Sequence, residues 1–132
     1  MSFLGKEYSF EKQENFEDFV NAVGLTPEQA QGFINFRPTQ KIEKDGDSYT
    51  LYTSTPQTKK ELTFKSGVTF DEKTADRNCK TTITVEGNTV TQVQKFDDGA
   101  ILTIGRQYSD SDLVVTITTN KWSGVAKRYY KA

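Results

Sequence analysis

Two arginines and one tyrosine occupy strand positions where a polar side chain would face an apolar interior. Arg106 continues the row of Leu102 and Ile104, because residues two apart in a β-strand point to the same face. The same alternation places Arg128 and Tyr130 together on one face of the last strand. Burying two guanidinium groups is costly unless an anion meets them. We therefore expect this trio to bind an anion, for which a carboxylate is the natural candidate.

The sequence leaves two other interpretations of these residues open. A shift of one residue in the final hairpin would turn Lys127 and Tyr129 inward instead of their neighbours. A structural ion pair is the second alternative, with Glu72 or Asp76 as the partner of a buried arginine.

The composition excludes several classes of function. The chain has 132 residues, no histidine, and a net charge of -1 from 17 basic and 18 acidic residues. Without histidine a Ser-His-Asp triad is impossible, and the balanced charge provides no footprint for a nucleic acid. Cys79 has no cysteine to pair with inside the chain, and neither a signal peptide nor a membrane span is evident. We expect one domain spanning residues 1–132, cytoplasmic and monomeric.

Catalytic and metal-binding roles find no support in the acidic residues. Most paired carboxylates lie at predicted turns or helix starts, where they form turns or interact favourably with the helix dipole. The run Asp110-Ser111-Asp112 is too short for a calcium-binding loop of twelve residues. We therefore predict no enzyme activity, no catalytic residue, no metal ion and no cofactor.

Turn signals recur at short and even spacing from Pro38 onward, and they separate segments rich in Thr, Val, Ile, Tyr and Phe. Eight such signals delimit nine strands, and the alternating residues 6–10 provide a tenth. The turns are Asp45-Gly46-Asp47, Thr55-Pro56-Gln57, Ser66-Gly67, Asp76-Arg77-Asn78, Glu86-Gly87-Asn88, Asp97-Asp98-Gly99, residues 109–112 and residues 120–124, with Trp122 in the last.

Residues 15–36 follow a helical pattern instead. Phe16, Phe19, Val20 and Val23 have the spacing of one helix face, with Asn15 as the expected N-cap and Gly24 as the stop. For a second helix, Thr26 and Gln29 have the spacing of a capping box, Pro27 takes the first helical position, and Leu25 would pack on Ala30.

This order of elements predicts an all-β fold. It is a ten-stranded antiparallel up-and-down β-barrel, closed or nearly closed, with a helix-turn-helix lid between strands 1 and 2. A barrel of ten strands is wider than side chains can fill, so an internal cavity is expected. From the apolar faces we expect its lining to include Phe16, Val20, Phe33, Pro38, Ile104 and Val115.

Four segments together resemble the intracellular lipid-binding proteins, and more narrowly the insect type of fatty-acid-binding protein. They are Tyr8-Ser9-Phe10, residues 14–20, residues 67–72 and Arg128-Tyr129-Tyr130. The resemblance implies a clam-like barrel with a helical portal, and a fatty acid whose carboxylate is held by Arg106, Arg128 and Tyr130. It also implies that Asp76 is an inward polar residue, although Asp76 is equally typical of a turn.

The resemblance makes a long-chain fatty acid the expected partner of a carrier that is not an enzyme. Retinoic acid or another acidic isoprenoid lipid is an alternative ligand with the same head group. A protein-interaction module with a filled barrel is a more distant alternative. Lys59 and Lys60, in the turn after Pro56, are candidates for transient contact with an anionic membrane during ligand transfer, although a solvated turn explains them equally simply.

Overall fold

The computed structural model describes residues 3–23, 26–74 and 77–132, with the backbone alone at positions 74 and 77. Strand β1 is followed by two helices and then by nine further strands. The elements are β1 (Tyr8–Glu14), α1 (Phe16–Ala22), α2 (Pro27–Ile34), β2 (Thr39–Asp45), β3 (Ser48–Ser54), β4 (Lys59–Lys65), β5 (Phe70–Thr74), β6 (Arg77–Glu86), β7 (Thr89–Phe96), β8 (Ile101–Tyr108), β9 (Asp112–Thr119) and β10 (Trp122–Lys131).

All ten strands form one antiparallel sheet in the order β4-β3-β2-β1-β10-β9-β8-β7-β6-β5. Strands that are neighbours in sequence pair with each other, except β4 and β5, and β1 also pairs with β10, which joins the two ends of the chain. The predicted ten-stranded fold, with two helices between the first two strands, is confirmed.

The barrel is open between β4 and β5, which stand at the two ends of the sheet and do not pair with each other. The barrel is therefore nearly closed, one of the two forms expected from the sequence, with β4 and β5 as its edge strands. The turn between them bonds to β6 instead, because Gly67 N–H donates to Ile83 O at 2.9 Å and Val85 N–H donates to Ser66 Oγ at 2.8 Å. Three lysines on β4 discourage pairing with another chain at this edge: Lys59, Lys60 and Lys65.

An aromatic cluster fills one end of the interior. The rings of Phe3 and Tyr108 stack with their centroids 4.2 Å apart, and the ring of Tyr8 meets Tyr108 edge-on at 5.3 Å. All three residues are buried, and the Tyr8 hydroxyl donates to Ser109 O at 2.9 Å. This packing closes the barrel with side chains near the β8–β9 turn.

The register of β10 decides which residues of the last strand face inward. Trp122 pairs with Thr119 and Ala126 pairs with Ile117, so four steps along β10 match two steps along β9. An insertion of two residues preserves the phase of a pattern whose period is two. Arg128 and Tyr130 consequently point into the barrel, whereas the Tyr129 hydroxyl lies outside and donates to Glu14 Oε1 at 3.1 Å.

Helix α1 begins at Phe16 as expected, but Asn15 does not cap it with its side chain. The backbone of Asn15 has φ of 56°, in the left-handed region, and the side-chain Nδ2 of Asn15 donates to Val125 O of β10 at 3.2 Å. Asparagine tolerates this conformation better than most residues, which lets the chain turn sharply out of β1. Asn15 therefore fixes helix α1 to β10.

Helix α2 begins with the predicted capping box. Gln29 N–H donates to Thr26 Oγ1 at 3.3 Å, and Thr26 N–H donates to Gln29 Oε1 at 3.1 Å. Gly24, predicted to stop α1, and Leu25, predicted to pack on Ala30, lie outside the described residues.

Gly124 is expected to be intolerant of a side chain, because a Cβ atom there would lie 2.3 Å from Cζ2 of Trp122. Gly124→Ala should displace the indole and lower the free energy of unfolding by about 1–3 kcal/mol. Denaturant titration would measure the loss, and the emission of Trp122, the sole tryptophan, would report the displacement. Gly105→Ala is the matched control, since its Cβ would lie 3.9 Å from Thr116 O. Equal stability of the two variants would contradict this packing.

Candidate functional site

Strand pairing brings the two arginines to the same level of the barrel wall. Arg106 of β8 pairs with Val115 of β9, and Val115 pairs with Arg128 of β10. Two strand spacings separate the Cα atoms of the arginines, a distance of about 10 Å. Side chains as long as arginine can converge across this distance, and Tyr130 lies one inward position further along β10.

Arg106 is buried without a hydrogen-bond partner for two of its nitrogens. Its side chain is 7% exposed, and its Nε and Nη1 atoms meet no acceptor among the described residues. Burial lowers the pKa of Arg106, while the phenols of Tyr108 and Tyr130 and the carboxyl group of Glu72 oppose that shift. A guanidinium keeps its charge in proteins, so Arg106 presents an incompletely solvated cation.

Arg128 has more neighbours than Arg106. Its guanidinium lies 4.6 Å from the ring centroids of both Phe10 and Phe16, and its Nη2 donates to Phe36 O. Its Nε has no acceptor within the described part of the chain, and burial lowers the pKa of Arg128. The aromatic faces partly replace the lost water by cation–π attraction.

Tyr130 is oriented by Gln40, a residue that we did not predict. Gln40 Nε2 donates to the Tyr130 hydroxyl oxygen at 3.1 Å, and both side chains are buried. The phenol therefore keeps its own proton for another acceptor. Desolvation raises the pKa of Tyr130, so the hydroxyl stays protonated at neutral pH. Strand alternation in the sequence could have indicated that Gln40 faces inward, because it shares the inward face of β2 with Ile42.

Glu72 does not form the ion pair with Arg106 that the sequence left open. No carboxylate of residues 3–23, 26–74 or 78–132 forms an ion pair with Arg106 or Arg128. Glu72 instead accepts hydrogen bonds from Thr81 Oγ1 at 2.7 Å and Gln94 Nε2 at 2.9 Å. Asp76, the other proposed partner and an expected cavity residue, lies outside the described residues.

A cavity of about 600 Å³ occupies the interior, within the roughly 300–1,000 Å³ typical of small-molecule sites. Its wall combines the apolar faces of α1, β8 and β9 with the polar residues described above. The lining includes the three residues expected to bind the anion, Arg106, Arg128 and Tyr130. It also includes five of the other lining residues expected from the sequence: Phe16, Val20, Phe33, Ile104 and Val115.

Pro38 is not among the residues that line the cavity, contrary to our expectation. It is one of the fully buried residues, and its carbonyl accepts a hydrogen bond from Phe10 N–H at 3.2 Å. That bond holds Pro38 in the wall, next to the short ladder between β1 and β2. Phe33 lines the cavity but is 38% exposed, which places it where the cavity meets solvent.

The sheet, the cavity and the helical pair together define a class, the β-barrel proteins that enclose a small ligand. The chain is 47% identical over 133 residues to fatty acid-binding protein 2 of Manduca sexta, with complete coverage of both chains. It is 36% identical to the muscle fatty acid-binding protein of Schistocerca gregaria, with 98% of this chain and 96% of that protein covered. No protein-family model matches the chain.

Solved structures agree with these sequence comparisons. A fatty-acid-binding protein isolated from Manduca sexta gives a TM-score of 0.91 at 46% identity, with 98% of this chain and 99% of that chain covered. A fatty acid binding protein of Schistosoma mansoni, solved in complex with arachidonic acid, gives 0.87 at 30% identity, with coverage of 98% and 95%. The chain belongs to the fatty-acid-binding protein family.

The described part of the chain contains neither a candidate membrane-spanning helix nor a candidate metal-binding group. Its helices are all too short or too polar to cross a membrane. No group of three or more His, Cys, Asp or Glu side chains within the described ranges is arranged to hold a metal ion.

Alkaline pH should destabilise the protein through Tyr108, because burial raises the pKa of Tyr108 to about 12. The phenol ionises near pH 10 in the unfolded chain. The stability that depends on neutral Tyr108 is therefore complete below about pH 10 and declines between about pH 10 and 12. Tyr108→Phe should make this decline shallower and remove, from a pH titration, a component of the tyrosinate absorbance that appears near pH 12. An unchanged decline in the variant would contradict the assignment.

Proposed function

We propose that the protein is a non-enzymatic carrier of a long-chain fatty acid, with the carboxylate bound by Arg106, Arg128 and Tyr130. The observation that carries the proposal is the pair of buried guanidinium groups on one level of the cavity wall, each with N–H donors that lack an acceptor in the described residues. The two relatives named for fatty acid binding, and the Schistosoma mansoni complex with arachidonic acid, support the same ligand class.

The contacts of the trio suggest how a carboxylate would be bound. Arg106 offers Nε and Nη1, two N–H donors on different sides of the guanidinium, so a carboxylate can accept a hydrogen bond from either of them. Tyr130 donates its hydroxyl proton, since its oxygen already accepts from Gln40. Arg128 retains Nε for the ligand while Nη2 bonds to Phe36 O. These bonds would be charge-assisted, because the acceptor is a carboxylate.

The alkyl chain would provide most of the binding free energy. About fifteen buried methylene groups contribute about 12 kcal/mol before costs, at roughly 0.8 kcal/mol each. Lost translational freedom and the ordering of the chain consume several kcal/mol of this total. Hydrogen bonds to the carboxylate add about 1.5–3 kcal/mol each, so a dissociation constant between about 1 μM and about 1 nM is expected. The polar trio then determines which head group is accepted, and the apolar wall determines the affinity.

Retinoic acid and other acidic isoprenoids present the same carboxylate and remain the alternative ligands. Direct competition between oleate and retinoic acid for the purified protein would rank them. The more distant alternative, a protein-interaction module with a filled barrel, predicts that no lipid co-purifies with the protein. Organic extraction followed by mass spectrometry tests that alternative, and the cavity of about 600 Å³ argues against a filled barrel.

Removing either arginine charge should weaken the binding of acids selectively. We expect Arg106→Gln and Arg128→Gln to raise the dissociation constant of stearate by about 10- to 100-fold, since a hydrogen bond to a charged group contributes about 1.5–3 kcal/mol. Tyr130→Phe should have a smaller effect in the same direction. Stearyl alcohol, which has the chain without the charge, should bind all four proteins alike.

The matched control is Lys127→Gln, which removes a cation from the same strand next to Arg128 but outside the inward row. It should leave stearate binding unchanged. Displacement of a fluorescent fatty acid measures every affinity in this set. If the arginine variants weakened the acid and the alcohol equally, the anchor would be excluded, and the loss would reflect a damaged cavity.

We further propose that the monomeric carrier contacts anionic membranes transiently during transfer in the cytoplasm. Lys59 and Lys60 are exposed at the start of β4, and Phe33 is exposed beside the cavity. Lys59→Gln/Lys60→Gln should slow transfer of a fluorescent fatty acid to anionic vesicles at low salt and leave transfer to neutral vesicles unchanged. Lys95→Gln, another exposed lysine on a different strand, serves as control. Insensitivity of the wild-type rate to salt would exclude the membrane contact.

A further inference from the structure

We propose that Gln94 forms a second polar contact in the cavity, where its carbonyl oxygen accepts a hydrogen bond from a hydroxyl group in the middle of a fatty acyl chain. This inference rests on the proposed fatty-acid function, and it specifies the ligand class further as hydroxylated long-chain fatty acids. The inferred site consists of Gln94 on β7, Glu72 on β5 and Thr81 on β6, and we call it the Gln94 cluster.

Hydrogen bonds and burial hold the side chains of the Gln94 cluster in place inside the barrel. Gln94 is 5% exposed and Thr81 is fully buried, and Gln94 lines the main cavity. Glu72 Oε1 accepts hydrogen bonds from both of them, at 2.7 Å from Thr81 Oγ1 and 2.9 Å from Gln94 Nε2. Side chains held by such bonds at low exposure have fixed orientations, which is the condition for selective recognition.

The hydrogen bonds within the cluster decide what it can recognise. A carboxylate only accepts, so the amide nitrogen of Gln94 must face Glu72, and the hydroxyl of Thr81 uses its single proton on the same oxygen. Within the described ranges Gln94 makes its side-chain hydrogen bond through Nε2, and its carbonyl oxygen accepts none. Gln94 therefore presents an unpaired hydrogen-bond acceptor to the cavity. A ligand would pair with it through a hydrogen-bond donor.

Strand pairing gives the position of Gln94 relative to the proposed carboxylate site. Gln94 pairs with Leu102 on β8, and Arg106 lies four residues further along that strand. Four residues of extended chain span about 13 Å. A fatty acid whose carboxylate meets Arg106 would thus bring the middle of its chain, not its first carbons, to Gln94.

A hydroxyl group fits this position better than other oxygen functions. Ketone and epoxide oxygens only accept hydrogen bonds, so they would face the acceptor of Gln94 without a donor between them. A plain methylene leaves the amide oxygen without a partner but introduces no unpaired group of its own. The expected order of affinity is hydroxylated, then unsubstituted, then oxidised to the ketone.

The test compares stearate, 10-hydroxystearate, 12-hydroxystearate and 10-oxostearate by displacement of a fluorescent fatty acid from the full chain. Wild type should bind at least one mid-chain hydroxy acid about 2- to 10-fold more tightly than stearate, and the ketone more weakly than stearate, as one net hydrogen bond allows. The hydroxyl of 3-hydroxystearate lies beside the carboxylate, so this acid should gain nothing from Gln94.

Gln94→Met keeps the length of the side chain and removes the acceptor, so it should abolish the preference while still binding stearate. Gln92→Met is the matched control, because Gln92 is buried on the same strand but does not line the cavity; it should keep the preference. If wild type showed no preference, or Gln94→Met retained it, the role of Gln94 would be overturned. A wild type that failed to bind stearate would instead overturn the proposed function.

Discussion

The burial of two guanidinium groups is the constraint on which the rest of this structure depends. Arg106 and Arg128 are 7% and 6% exposed, and removing each charge from water costs several kcal/mol that the surroundings must offset. Aromatic rings and the Phe36 carbonyl offset part of that cost at Arg128. Arg106 has fewer such contacts. A core filled only with apolar side chains would offer nothing to offset the cost of removing the Arg106 charge from water. The buried arginines therefore require the cavity, where a polar group can reach them.

The same constraint explains why the register of β10 matters more than its length. The strand gains two residues between Trp122 and Ala126, and an even insertion returns the inward face to the same side. An insertion of one residue would have turned Lys127 and Tyr129 inward and exposed Arg128. The extra residues also bring Trp122 within 5.9 Å of the Phe19 ring and Val125 within reach of Asn15, so the insertion holds α1 as well.

The fold and the inward faces that carry Arg106, Arg128 and Tyr130 could be predicted from the sequence because they depend on local periodicity. Alternation assigned the faces of β8 and β10, and the Thr26/Gln29 spacing marked the start of α2. Features that depend on contacts distant in sequence were missed. Asn15 bonds to Val125, 110 positions away, and Gln40 bonds to Tyr130, 90 positions away. Neither partner can be read from a local pattern, and Pro38 was misassigned for the same reason.

Arg128 connects the proposed head-group site to the helical lid. Its guanidinium packs on Phe16, the first residue of α1, and donates to Phe36 O, two residues beyond the end of α2. One rigid, planar group thus contacts the chain at both ends of the lid. A carboxylate at Nε would restrict that group further, because its remaining donors point in fixed directions. A ligand can change the position of the lid only if it binds one position more tightly than another, and Arg128 is a side chain that contacts both the lid and the proposed head-group site.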